Sequence, residues 1–258
     1  MCYDSDSSPP IEPIDGGVAG REDLTLTAAD GNQFAAFAAA SARSKGTGVV
    51  ILPDVRGLHH FYEHLALRFA EHGYDSVAID YFGRTAGVGK RREAFPYAEH
   101  VPLTTVEGVT ADTAAAVAHL RQSDPDRAVF TVGFCFGGSN SWHQAAAGHG
   151  LSGAIGFYGN PKRPPLGPID RVDEFECPVL GLMAGEDPGI PVEVVEEFRQ
   201  AMENAGVEHE IVVYPGAPHS FFDRKQEEFA ADSADAWRRV LEFMAAHSWR
   251  SGPIPEGP

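Results

Sequence analysis

Cysteine is scarce in this chain: Cys2, Cys135 and Cys177 are the 3 present in 258 residues, and no CxxC pair occurs. That excludes a disulfide scaffold and a cysteine-built zinc site. Positive charge is short as well, with 20 Lys and Arg against 37 Asp and Glu for a formal net charge of −17. Such a surface repels nucleic acid and anionic membrane, and no basic run offers a local exception. No apolar stretch approaches the ~20 residues of a membrane span. The opening "MCYDSDSSPPIEPIDGG" lacks the apolar segment of a signal peptide. The expectation is therefore a cytoplasmic protein with neither nucleic-acid nor membrane partners. Acidity also constrains the substrate, because an anion would need local arginines to enter so negative a field.

What is present reads as an ordinary globular chain, 43% hydrophobic and 22% charged, with enough length to bury a full core. Residues 1–20 read as a flexible N-terminal arm, 21–250 as one α/β domain and 251–258 as a frayed tail. "EDLTLTA" and "NQFAAFAAA" flank the turn "ADGN" and predict an antiparallel hairpin. Beyond it, "GVVILP", "DSVAID", "AVFTVGF", "GAIGFYG", "PVLGLMAG" and "HEIVVYPG" are apolar runs of strand length. Helical periodicity separates them over 60–72, through "VEGVTADTAAAVAHLRQ", after residue 138, through "PVEVVEEFRQAMENAG" and over 226–247. Strands alternating with helices predict a mostly parallel sheet covered on both faces.

In such a sheet, chemistry gathers beyond the carboxyl ends of the strands. Three unusual loops fall there. "TVGFCFGG" (131–138) places Cys135 between glycines at the turn from a strand into a helix. A strand that turns this sharply needs small residues two positions either side of the exposed side chain. The helix N-terminus favours a thiolate, and the N–H of Phe136 is placed to donate to an oxyanion. "AGEDPGIP" puts Asp187 just past a strand, and "YPGAPHSFFD" does the same for His219. Alone, each has a plain structural explanation: a buried thiol, a turn carboxylate, a loop histidine. Together, in the order Cys135, Asp187, His219, they match the nucleophile, acid and base of the α/β-hydrolase arrangement.

The segments "ILPDVRGL", "AIDYFGRTAG", "VGFCFGG", "GFYG", "AGEDPGIP" and "GAPHSFFD" resemble the dienelactone hydrolases (carboxymethylenebutenolidases), the cysteine-nucleophile branch of that fold. The resemblance implies hydrolysis of an enol-lactone through a cysteinyl acyl-enzyme, without cofactor or metal. It also implies a carboxylate that restrains the thiol, here Asp54 where the family has glutamate, and a second oxyanion N–H from Val55. Of the family's two substrate-binding arginines, Arg84 matches one. Asp223 stands in place of the other, with Arg224 beside it, and Arg56 is a further candidate. Tyr158, at the end of "GFYG", is a candidate substrate contact.

The long segment "TAGVGKRREAFPYAEHVPLT" is a candidate basic, aromatic lid carrying Lys90, Arg91, Arg92, Phe95 and Tyr97. His59, His60 and His64 share a helix start but lack an HExxH pattern, so helix-start histidines are expected rather than a metal site. The partner is a small ester or lactone, anionic ones included, and the expected assembly is a monomer or simple homodimer. A broad carboxylesterase or thioesterase is the main alternative, and a non-catalytic ligand-binding hydrolase fold the other.

Overall fold

In a computed structural model, residues 6–91, 95–223 and 227–248 are described. The hairpin is β1 (Val18–Thr27) and β2 (Gln33–Ser41), closed by a turn whose Gly31 takes a positive φ of 86°. There follow β3 (Thr47–Leu52), α1 (His60–Glu71), β4 (Tyr74–Ile79), the single turns α2 (Gly83–Ala86) and α3 (Tyr97–His100), and α4 (Val106–Leu120). Then come β5 (Ala128–Phe134), α5 (Phe136–Gln144), β6 (Gly153–Phe157), β7 (Val179–Glu186), α6 (Val192–Ala205), β8 (His209–Pro218) and α7 (Ala230–His247). The eight strands form one sheet in the order β1-β2-β4-β3-β5-β6-β7-β8. β1–β2 and β2–β4 pair antiparallel, and every other neighbouring pair is parallel.

Every residue of β3, β5 and β6 is buried, as expected of parallel strands covered on two faces. Alternation along β3 shows both layers. Val49 and Ile51 join a cluster with Phe61 and Leu65 of α1 and Trp237 and Val240 of α7. Val50 and Leu52 point the other way, into a cluster with Val109 and Ala116 of α4. A third cluster packs Trp142 of α5 on Val179 and Met183 of β7 and Phe198 of α6. This last cluster fixes α5 against the sheet, and with it the turn at Cys135.

α5 starts earlier than the sequence predicts, immediately after Cys135. The final helix starts later, at Ala230. The stretch read as an arm makes definite contacts: Val18 to Gly20 belong to β1, Ser7 and Pro9 are buried, and Ile11 packs on the main core. The Ile14 N–H donates to Glu71 Oε2 at 3.0 Å, and the Gly17 carbonyl accepts from the Ala42 N–H at 2.9 Å. Among the described residues, no helix is long and apolar enough to cross a membrane.

Candidate active site

At Cys135 the backbone takes φ 55° and ψ −111°, a conformation that costs a non-glycine residue about 1–3 kcal/mol. The surroundings enforce it. A Cβ on Gly133 would lie 1.9 Å from the Gly137 carbonyl oxygen, and one on Gly137 would lie 2.0 Å from the Leu52 oxygen. Glycine at both 133 and 137 is what lets β5 turn into α5 this close to the end of β3. The Cys135 N–H donates to the Phe157 carbonyl at 3.0 Å, and the Cys135 carbonyl accepts from the Gly138 and Ser139 N–H groups. The half-buried thiol thus projects from the start of α5, where unpaired N–H groups favour negative charge.

Consecutive strands carry the neighbouring groups. Cys135 ends β5, Tyr158 ends β6, Asp187 ends β7 and His219 ends β8. Asp187 is 7% exposed; its Oδ1 accepts from the Gly189 N–H at 2.8 Å, and its Oδ2 pairs with His219 Nδ1 in a short contact. That pairing puts the histidine proton on Nδ1 and leaves the Nε2 lone pair free, and Nε2 is buried with no hydrogen-bond partner among the described residues. Tyr158, another positive-φ residue, is buried with its ring 5.0 Å from the His219 ring. Burial pushes its hydroxyl well above the usual tyrosine range, with Asp223, Asp54 and Cys135 adding to the effect.

Next to this row lies a buried charge network. Asp54 accepts from the Arg56 N–H at 2.8 Å and from Arg56 Nε at 3.1 Å, while Arg56 Nη2 also meets Asp223 in a short contact. All three side chains are under 6% exposed. Burial opposes the Arg56 charge, but Tyr62, Asp54 and Asp223 outweigh it and hold the guanidinium above its ordinary range. Asp223 shows the opposite balance: burial raises it to about 6 even though Arg56 pulls it down. Ser7, from the chain's first residues, accepts from Arg56 Nη1 at 3.2 Å. The Tyr62 hydroxyl accepts from the Asp54 N–H at 3.0 Å, and the Tyr81 hydroxyl donates to the Pro53 and Asp54 carbonyls. These contacts fix the backbone that carries Val55.

Arg56 and Arg84 therefore sit elsewhere than in an open carboxylate clamp. Arg56 is enclosed between Asp54 and Asp223, the latter standing where the resemblance calls for arginine. Arg84 is held by Asp30 and Asp112, its Nη2 lying 2.8 Å from Asp112 Oδ1. Arg224 and Arg92 lie outside the described residues. In the long segment, Lys90 pairs with Asp23 and Glu63, Arg91 lies 2.8 Å from Asp80, and Phe95 packs on Phe82 at 4.9 Å.

The histidine trio resolves locally. His59 caps α1 by accepting from the Phe61 N–H, and among the described residues no group of three or more His, Cys, Asp or Glu could hold a metal ion. Cys177 is buried, which pushes its thiol up to about 12. Sequence reasoning missed Arg163, in the loop after β6. Its guanidinium carbon stands 4.0 Å from the centroid of the Phe136 ring, beside the Cys135 turn. A basic residue in a loop past the carboxyl end of a strand was the available signal.

Strand order, the turn at Cys135 and the β7–β8 pairing of Asp187 with His219 are those of the α/β-hydrolase fold. The sequence pattern of the dienelactone hydrolase family matches residues 34–248, and the chain belongs to that family. A carboxymethylenebutenolidase of Rhodococcus opacus is 30% identical over 224 residues, covering 80% of this chain and 83% of that protein. A protein of Escherichia coli K12 provisionally named as a carboxymethylenebutenolidase is 31% identical over 251 residues, covering 90% and 88%. A Klebsiella pneumoniae crystal structure provisionally named a dienelactone hydrolase superposes with a TM-score of 0.76 at 27% identity, covering 88% of this chain and 99% of that one.

Proposed function

We propose that this hydrolase opens an enol-lactone or similarly activated ester through a cysteinyl acyl-enzyme. The observation that carries the reading is the Asp187–His219 pairing at the ends of β7 and β8, on the same edge of the sheet as the strained Cys135 turn that ends β5. His219 Nε2 takes the thiol proton as Cys135 Sγ attacks the carbonyl carbon. The Val55 and Phe136 N–H groups receive the oxyanion. Collapse breaks the ring C–O bond, and the enolate oxygen, still tethered to the acyl group, takes its proton from the His219 imidazolium, giving an enol that tautomerises to the ketone and a neutral histidine. Water then attacks the thioester, giving its proton to His219. The C–S bond breaks, and the free acid leaves with the thiol restored. Asp187 keeps the proton on Nδ1 and steadies the imidazolium throughout.

Asp54 restrains ionisation of the thiol by like charge, and Arg56 offsets part of that restraint. An anionic substrate is compatible with the site only where a cation remains for it. No step calls for a metal or organic cofactor. The site works within one chain, as a monomer or in a simple homodimer, in the cytoplasm.

The test compares a dienelactone with a simple aryl ester, using wild type, Cys135→Ala and His219→Ala. The lactone rate should fall by at least about 10³-fold in both variants. Equal rates in all three proteins would remove the catalytic reading and leave a ligand-binding fold. Turnover of the aryl ester alone would favour a broad carboxylesterase or thioesterase.

A further inference from the structure

A half-buried guanidinium normally has a carboxylate beside it, because desolvating a lone charge is costly. The arginines near this site follow the rule: Arg56 lies between Asp54 and Asp223, Arg84 between Asp30 and Asp112, and Arg91 on Asp80. Arg163 breaks it. Among the described residues its charge meets only an aromatic face, that of Phe136, whose own N–H is the proposed oxyanion donor next to Cys135. Phe136 is itself fixed, 4% exposed with its ring 5.2 Å from Tyr81. The guanidinium is therefore held by packing while its donors stay uncommitted to protein carboxylates. Burial lowers Arg163 from the usual arginine range, and the charges of Tyr81 and Cys135 pull it back, so the cation lies within electrostatic reach of the thiol.

We propose that Arg163 is a specificity-determining residue of this site, its guanidinium receiving the carboxylate of an anionic ester or lactone that acylates Cys135. This role rests on Cys135 as nucleophile. It explains how a protein of net charge −17 admits an anion although Arg56 and Arg84 are already neutralised. Arginine's fork accepts a carboxylate in bidentate fashion, which orients the ester as well as attracting it.

The test avoids the natural substrate. Alkylation of Cys135 by iodoacetate and by neutral iodoacetamide is followed at one pH, read on the Cys135 peptide by mass, with Cys135→Ala as the blank. Any change in thiol ionisation affects both reagents alike, so their rate ratio isolates the anion effect. Arg163→Gln should lower the iodoacetate-to-iodoacetamide ratio roughly tenfold, the strength of one partly screened charge contact. Arg163→Lys should restore most of it, and salt should lower the wild-type ratio. A ratio unchanged within twofold in Arg163→Gln, or a wild-type ratio insensitive to salt, overturns the role of Arg163 while leaving hydrolysis at Cys135 standing. Failure of both reagents to modify Cys135 in wild type removes the nucleophile itself, and this inference with it; modification by iodoacetamide alone overturns only the role of Arg163.

Discussion

Replacing Gly137 by alanine adds one carbon where there is no room for it. The new Cβ would lie 2.0 Å from the Leu52 oxygen and 2.3 Å from the Pro53 oxygen, both backbone atoms. An ordinary contact needs about 3.4 Å, so α5 and the end of β3 must part by more than 1 Å at two points. Neither atom is the far end of a flexible side chain, and Pro53 adjoins the Asp54 carbonyl held by Tyr81. Overpacking of side chains costs about 1–3 kcal/mol, and a backbone clash of this depth belongs above that range. We expect Gly137→Ala to lose at least ~3 kcal/mol and roughly 6–12 °C in Tm. The same displacement separates the Val55 and Phe136 N–H groups, so surviving protein should lose at least ~10²-fold in kcat/KM. Gly20→Ala is the control, because its Cβ would meet nothing within 4 Å and should change stability by less than ~0.5 kcal/mol. Urea unfolding and ester kinetics on both variants decide the matter. A Gly137→Ala protein as stable and active as Gly20→Ala would refute the claim that close packing enforces the Cys135 turn.

Two buried groups should give opposite pH dependences. Asp223 is raised from 3.8 to about 6, so its contribution is present below pH 3.8 and lost as pH rises through about 6, roughly 3 kcal/mol in all. His143 is pushed by burial, with help from Arg171, from 6.5 down to about 4; its contribution is present above 6.5 and lost as pH falls toward 4, again roughly 3 kcal/mol. Urea titrations from pH 4 to 7 should show stability rising with pH in Asp223→Asn relative to wild type and falling with pH in His143→Gln; parallel curves for all three proteins would contradict both assignments. Asp187→Asn should keep the fold yet reduce kcat about 10³–10⁴-fold, because the amide can favour the wrong His219 tautomer. Circular dichroism and stopped-flow hydrolysis separate the two effects.

Much of the fold was readable because its signals are local. The hairpin turn, the apolar strand runs and the glycines around Cys135 each carry their own physical cause. Asp187 and His219 were legible as strand-end residues, although their pairing depends on β7 and β8 lying side by side. Charge pairing was not legible. Arg56 and Asp223 are 167 residues apart, and nothing near either position shows that they are partners. Arg84 matched its expected position, but Asp30 and Asp112 hold its side chain, and only the folded arrangement reveals that. Arg163 went unnoticed because its importance comes from standing over Phe136, a contact across the β5–β6 pair rather than a pattern along the chain.

The contact of Ser7 with Arg56, and of Arg56 with Asp223, has a kinetic corollary. It ties the chain's first residues to its last β-strand loop through a charge near the middle of neither. Contacts this distant in sequence form late, after the loops between them have closed. During synthesis, the Arg56–Asp223 contact cannot form until residue 223 has left the ribosome. Cys135 thus emerges well before the Arg56–Asp223 contact can form, and Ser7 fastens on the network as a clasp once the strands are in place.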